Sequence, residues 1–296
     1  MIDLRYHIYS LAAVFFALAI GIVIGTSFAK KLPANENERR TIQRYENSMR
    51  VLKREIELAS QGAAQKEKLA GKYEEFCRAI LPIVAKDRLF QRNVVIVQTG
   101  DYDEIVGYVK TALETAGAQV TSVIDIGRRF PFDDNEQVAG VLADCGLASP
   151  DPTKAADRLF GAIAEMLCDA KYSYLPAKLE KHGVAKFTGS SLPLGTRLIV
   201  LVGGSTSENA NTSSIVDRRL IQAIERPGVI VVGCEGSSTT ASYVPTWSKA
   251  GIATVDNADS ALGQIALICA LNGEKAHFGT KETANRLIPL SLTEAK

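Results

Sequence analysis

With 296 residues, 46% of them hydrophobic and 23% charged, and a net charge of +1, the chain has length for one well-buried domain beyond any membrane segment. That near-neutral balance excludes the electrostatic footprint of a nucleic-acid binder. Five cysteines (Cys77, Cys145, Cys168, Cys234, Cys269), odd in number and without a CxxC pair, exclude a disulfide framework or a zinc signature.

The first element is Ile8 to Ala29, a stretch without one charged side chain. As a helix its roughly 22 residues span about 33 Å, enough to cross the hydrocarbon core of a bilayer. Ala13, Ala17, Gly21, Gly25 and Ala29 recur every fourth residue and line one face with small side chains. Such a ridge, with its GxxxG step, predicts close pairing with another membrane helix. Ser27-Phe28-Ala29 has the spacing of a signal-peptide cleavage site, but the apolar run exceeds the usual h-region of about 7–15 residues. Lys30, Lys31 and Pro33 end the span. Arg5 precedes it, while Lys30, Lys31, Arg39 and Arg40 follow, a bias that taken alone puts the large domain in the cytoplasm.

From Glu36 to about Ile80 the composition turns to Glu, Arg, Lys, Gln and Ala. Ile42, Tyr45, Met49, Leu52, Ile56, Ala59 and Ala63 alternate at spacings of three and four, the seam of a coiled coil. Leu69, Tyr73, Phe76 and Ile80 continue in a shifted register, which predicts a break or stammer just after Gly62. So narrow a stripe needs a partner helix or a groove. A parallel homodimer puts ridge and seam in line, and folding back on the globular domain is the other solution. Pro82 is expected to close this helix.

Short apolar runs then alternate with amphipathic segments. Strands are predicted at Val94–Val97, Val120–Ile126, Arg197–Val202, Val229–Val232 and Ile252–Val255. Helices are predicted at Asp103–Gly117, Asp133–Leu147 (with Asp133 and Glu136 as a capping box), Pro152–Ala170, Ser213–Glu225 and Asp259–Leu271, the last ended by Asn272-Gly273. The pattern predicts an α/β domain of three layers around a mainly parallel sheet of about five strands, Rossmann- or flavodoxin-like. The organisation is thus a tail and transmembrane helix (1–31), a coiled-coil stalk (32–81), an α/β domain (82–290) and an extended tail (291–296).

Ligands of such a sheet bind at the loops that follow its strands. Gly100-Asp101-Tyr102-Asp103 has one glycine and puts carboxylates where a pyrophosphate would sit, which argues against NAD. Gly203-Gly204-Ser205-Thr206-Ser207 and Gly233-Cys234-Glu235-Gly236-Ser237-Ser238 have the N–H groups and hydroxyls of an anion cradle, without the GK[ST] ending of a P-loop. No GxSxG elbow or HExxH is present, and His7, His182 and His277 are the only histidines. His182 sits where a helix-end cation is ordinary. Met1, Met49 and Met166 are the only thioethers, and Cys145 and Cys168 read better as core than as a pair approaching between helices. The residues predict no enzyme, no resident cofactor and no assembled metal site.

Two stretches carry a resemblance. The opening Met1 to Gly25 and the closing Val255-Asp256-Asn257-Ala258-Asp259-Ser260-Ala261-Leu262-Gly263-Gln264, with His277-Phe278-Gly279 and Leu287-Ile288-Pro289, resemble the MctB-type copper transport protein family. Asp256, Asn257, Gly263, Gly279 and Pro289 are the matching positions of the closing signature. The resemblance implies a single amino-terminal span, a coiled-coil stalk and an extracytoplasmic α/β domain in a bacterial envelope. It implies copper efflux, copper homeostasis or an outer-membrane channel, and links such proteins to cell separation as scaffolds acting through partner proteins. Copper enters through this resemblance alone. A channel needs several spans or a closed barrel, and the sequence offers one helix. The outside location it implies is opposite to the lysine and arginine count and is the one expected here, because a seven-residue tail carries little signal.

Overall fold

The computed structural model describes residues 4–31, 36–127, 130–149, 151–191, 194–207 and 213–293; the side chains of 4–6, 29–31, 36–38 and 213–214 lie outside that description, as do Pro33 and the tail residues 294–296. The chain forms two compact units, one ending at Ala70 and one beginning at Gly71.

The first unit is helical. Helix α1 (Leu4–Lys31) carries the apolar stretch, and within it His7–Phe28 is long and apolar enough to cross a membrane. Its large side chains are exposed around the whole circumference, Phe16 at 73% and Ile22 at 59% among them. A helix that is apolar on every face and buried on none has the surface of a membrane span.

Helix α2 (Glu36–Ala85) is a single helix of 50 residues. Of the break or stammer expected after Gly62, the break does not occur. One helical glycine costs about 1 kcal/mol, and the neighbouring Ala, Gln, Lys and Glu are strong helix formers. Pro82 does not close the helix either. Proline removes a single backbone bond, and burial of Leu81 and Ala85 in the core of the second unit holds the last turn in place while Pro82 itself faces solvent.

In the second unit the apolar runs become strands, each too short for a stable helix and rich in Val and Ile. In chain order they are β1 (Asn93–Gln98), α3 (Asp103–Thr115), β2 (Gln119–Ile126), α4 (Asn135–Asp144), α5 (Ala155–Asp169), α6 (Leu175–Lys181), β3 (Ala185–Gly189), β4 (Leu198–Val202), α7 (Arg218–Ile224), β5 (Ile230–Cys234), α8 (Val244–Lys249), β6 (Ala253–Val255), α9 (Ala261–Leu271), β7 (His277–Phe278) and α10 (Leu290–Thr293). A π-helical turn, Ser213–Asp217, leads into α7.

The sheet has seven strands in the order β3-β2-β1-β4-β5-β6-β7. All neighbours are parallel except β3, which runs antiparallel to β2 at one edge. The expected five strands are present. The sequence missed β3 because its Ala-Lys-Phe-Thr-Gly has no apolar run, as suits an exposed edge. It missed β7 because two residues carry no period. Both faces of the sheet are covered. α4, α5, α7 and Trp247 of α8 pack on one side against Val95, Val97, Ile199 and Leu201. α3, α9 and the end of α2 pack on the other against Val94, Ile96, Val200 and Val232. Every residue of β4 is buried, and each such Leu, Ile or Val stabilises the fold by about 1.5–3 kcal/mol.

Two smaller expectations change. The cap of α4 is Asp134, whose carboxylate accepts from the N–H groups of Glu136 and Gln137, one residue later than the predicted Asp133. Ser291 and Thr293 belong to a helical turn rather than an extended tail, and Glu274 fixes that turn by accepting from Leu290 N–H at 2.6 Å and Ser291 Oγ at 2.9 Å.

Candidate functional site

Three regions carry the residues that composition and spacing single out: the exposed helical surfaces of the first unit, the carboxyl ends of the strands, and the buried polar groups beneath them. On α1, Ala13 and Ala17 are exposed, and a side-chain atom added at Gly21 or Gly25 would meet open space. The side chain of Ala29 lies outside the described residues. On α2, the seam is exposed along its length: Ile42 at 56%, Tyr45 at 70%, Met49 at 55%, Leu52 at 51% and Ile56 at 59%, with Ala59 and Ala63 exposed beyond them. These positions leave one small-residue ridge on α1 and one apolar stripe on α2 uncovered.

At the carboxyl ends of the strands the order reverses between β1 and β4, the usual place for a ligand in an open α/β sheet. Here the protein's own carboxylates take the donors. Asp101, after β1, accepts from Ser205 Oγ at 2.9 Å, Thr206 N–H at 2.9 Å and Thr206 Oγ1 at 3.0 Å. Asp259 accepts from Ser237 N–H at 2.9 Å, and Asp256 accepts from Thr280 N–H at 2.8 Å and Lys281 N–H at 2.9 Å. Three loops that have the form of anion cradles are thus each closed by an internal anion, a strong charge-assisted arrangement.

Beneath these loops, Glu235 is fully buried and paired. Lys281 Nζ lies 2.6 Å from its Oε1, with Ser242 Oγ at 2.6 Å and Tyr243 N–H donating to Oε2 at 2.8 Å. Trp247 fills the space under the sheet end: an added Cβ at Gly203 or Gly233 would overlap its ring, so both positions need glycine. Its indole N–H donates to Asp217 Oδ2 at 2.6 Å. Burial raises the Asp217 carboxyl to about 7, against the opposing hydrogen bond from Trp247. Sequence reasoning missed Asp217, Glu235, Trp247 and Lys281 as a group, since no two of the four are neighbours in the chain.

The soft donors are dispersed. Cys145, Cys168, Cys234 and Cys269 are buried free thiols and Cys77 is half-buried. Burial pushes the four buried thiols up, Cys234 furthest, and so disfavours the thiolate that binds metal. Met166 is buried and Met49 lies on the seam. His182 caps α6 and places Nε2 2.9 Å from Asp144, whose carboxylate is held well below the usual range by His182, Lys178 and Lys181. His277 hydrogen-bonds Ser248 and Thr254 at 3.0 Å each. Among the described residues no three His, Cys, Asp or Glu side chains gather to hold a metal ion.

Residues 1–289 match the family described as "Copper transport outer membrane protein, MctB". The chain belongs to that family. It is similar to the Copper transporter MctB of Mycobacterium tuberculosis (strain ATCC 25618 / H37Rv), with 27% identity over 313 aligned positions covering 95% of this chain and 96% of that protein. The Copper transporter MctB of Mycobacterium leprae (strain TN) is 25% identical over 301 positions, 92% of each chain. The single apolar amino-terminal helix fits membrane anchoring of an MctB-family protein.

Four of the five positions that carry the closing MctB-like signature meet at the end of β6. Gly279, at φ +140°, packs where a Cβ would overlap the Asp256 carboxylate. Gly263 likewise sits against the backbone of Asn257, whose carbonyl accepts from Ser260 N–H and Oγ at 2.9 Å. Ser260 in turn caps α9 by accepting from Gly263 N–H at 3.0 Å. Pro289 is buried just before α10 and does not touch this turn by any described hydrogen bond. These residues build a helix cap and a tight turn.

Proposed function

We propose that this protein is a membrane-anchored, non-enzymatic envelope component of copper transport or copper homeostasis, with its α/β unit outside the cytoplasm. The observation that carries this reading is the family match over residues 1–289, with relatives named as copper transporters along nearly the whole chain. Copper is the cargo in this reading. The one membrane-length helix among the described residues does not by itself form a pore, and the described donors make no ligand cage within one copy. Transport therefore rests on further copies or partner proteins, and the exposed ridge and seam are the surfaces suited to recruit them. A parallel homodimer sets the ridge of Ala13, Ala17, Gly21 and Gly25 against the same ridge of a second copy and the seam of Ile42, Tyr45, Met49, Leu52 and Ile56 against the same seam.

The same exposed seam favours a second reading, a dimeric coiled-coil scaffold of the envelope that acts in cell separation through partners. Cellular copper under copper load separates the two. A strain lacking the protein is expected to hold several-fold more copper than the complemented strain. Unchanged copper content together with cells that fail to separate would overturn the copper reading in favour of the scaffold.

A further inference from the structure

A cleft of about 440 Å³ opens at the amino-terminal edge of the sheet, at the opposite ends of the strands from the plugged loops. Its volume falls in the range of about 300–1,000 Å³ typical of small-molecule sites. It exists because β6 starts late. β5 begins at Ile230, whereas Ala253, the first residue of β6, stands in register with Val232. The first two residues of β5 therefore have β4 on one side and no strand on the other, and with Val229 and Ile252 they form an apolar floor.

The backbone adds a donor to that floor. Ile230 N–H donates to Arg197 O on the β4 side at 2.8 Å, and Glu235 N–H donates to Val255 O on the β6 side at 2.9 Å. Alternation along the strand turns Val231 N–H to the β6 side, into the cleft. The rim adds charge. Lys249, at the end of α8, and Lys275, before β7, are exposed and have no carboxylate partner among the described residues. Arg226 is committed to Asp169 at 3.0 Å, and Glu274 to Arg286 and the Leu290 N–H. Glu225 is the remaining carboxylate, so two uncommitted ammonium groups face one.

We infer that this cleft binds a small organic anion with an apolar body, its head drawn by Lys249, Lys275 and the Val231 N–H and its body over Val229 and Ile252. The site shares no residue with the membrane helix, the seam or the plugged loops, so it stands apart from the copper reading. The test is fluorine NMR titration of the full chain in lipid nanodiscs with 4-fluorobenzoate and its neutral analogue 4-fluorobenzamide. Saturable binding of the benzoate is expected, about tenfold tighter than the amide. The surface double variant Lys249→Gln with Lys275→Gln is expected to lose that preference, and Ala250→Trp, which fills the cleft, to lose binding of both. No saturable benzoate binding by the parent, or an unchanged preference in the lysine variant, would overturn the inference.

Discussion

Asp217 is fully buried against the only tryptophan of the chain, and the folded protein raises its carboxyl to about 7 from the ordinary 3.8. The folded state thus retains a proton that the unfolded chain releases, so this residue's contribution to stability falls as pH rises from about 4 to about 7 and is flat above. Asparagine keeps an acceptor for the Trp247 N–H and removes the titration. Asp217→Asn is expected to be more stable than the parent above pH 7, by about 1–3 kcal/mol, with the difference fading toward pH 4. Equal melting temperatures at pH 8 would contradict it. Nothing local announces this residue: in Ser-Ile-Val-Asp-Arg-Arg it reads as an ordinary acidic group at a helix start, and its burial follows from Trp247, 30 residues away. Asp101 was half legible. Its place after β1 put a carboxylate at the ligand end of the sheet, but the donors it satisfies come from a loop 104 and 105 residues further on.

At the scale of elements, legibility followed length and period. α3, α5, β1 and β4 have the apolar spacing or the apolar run that their burial requires; α3, β1 and β4 were read within a residue or two, and α5 starts three residues later than expected. The six-residue α8, the two-residue β7 and the edge strand β3 carry too little pattern, and tertiary contacts fix them instead. Pro82 shows the same override from the other direction, since packing of Leu81 and Ala85 holds a turn that proline weakens. Because Pro82 is exposed, Pro82→Ala is expected to restore a backbone bond without losing packing. The gain should be about 1 kcal/mol, read as a higher urea midpoint at unchanged slope. A lower midpoint would mean that the proline ring makes a contact the helix needs.

For the whole molecule, the α/β unit spends its carboxylates on its own loops, and the largest uncovered apolar surfaces are on α1 and α2. Exposed side chains at every third or fourth position of a 50-residue helix are what a partner strand covers. The ridge and seam were legible as periodicity, whereas whether a second copy covers them depends on association that one chain does not contain. The decisive measurement is disulfide crosslinking of the full-length protein in native membranes, with Leu52→Cys in a Cys77→Ser background, where the other thiols are buried. The account expects a crosslinked dimer from Leu52→Cys and none from an off-seam cysteine such as Lys53→Cys. Monomer alone at both positions would contradict it.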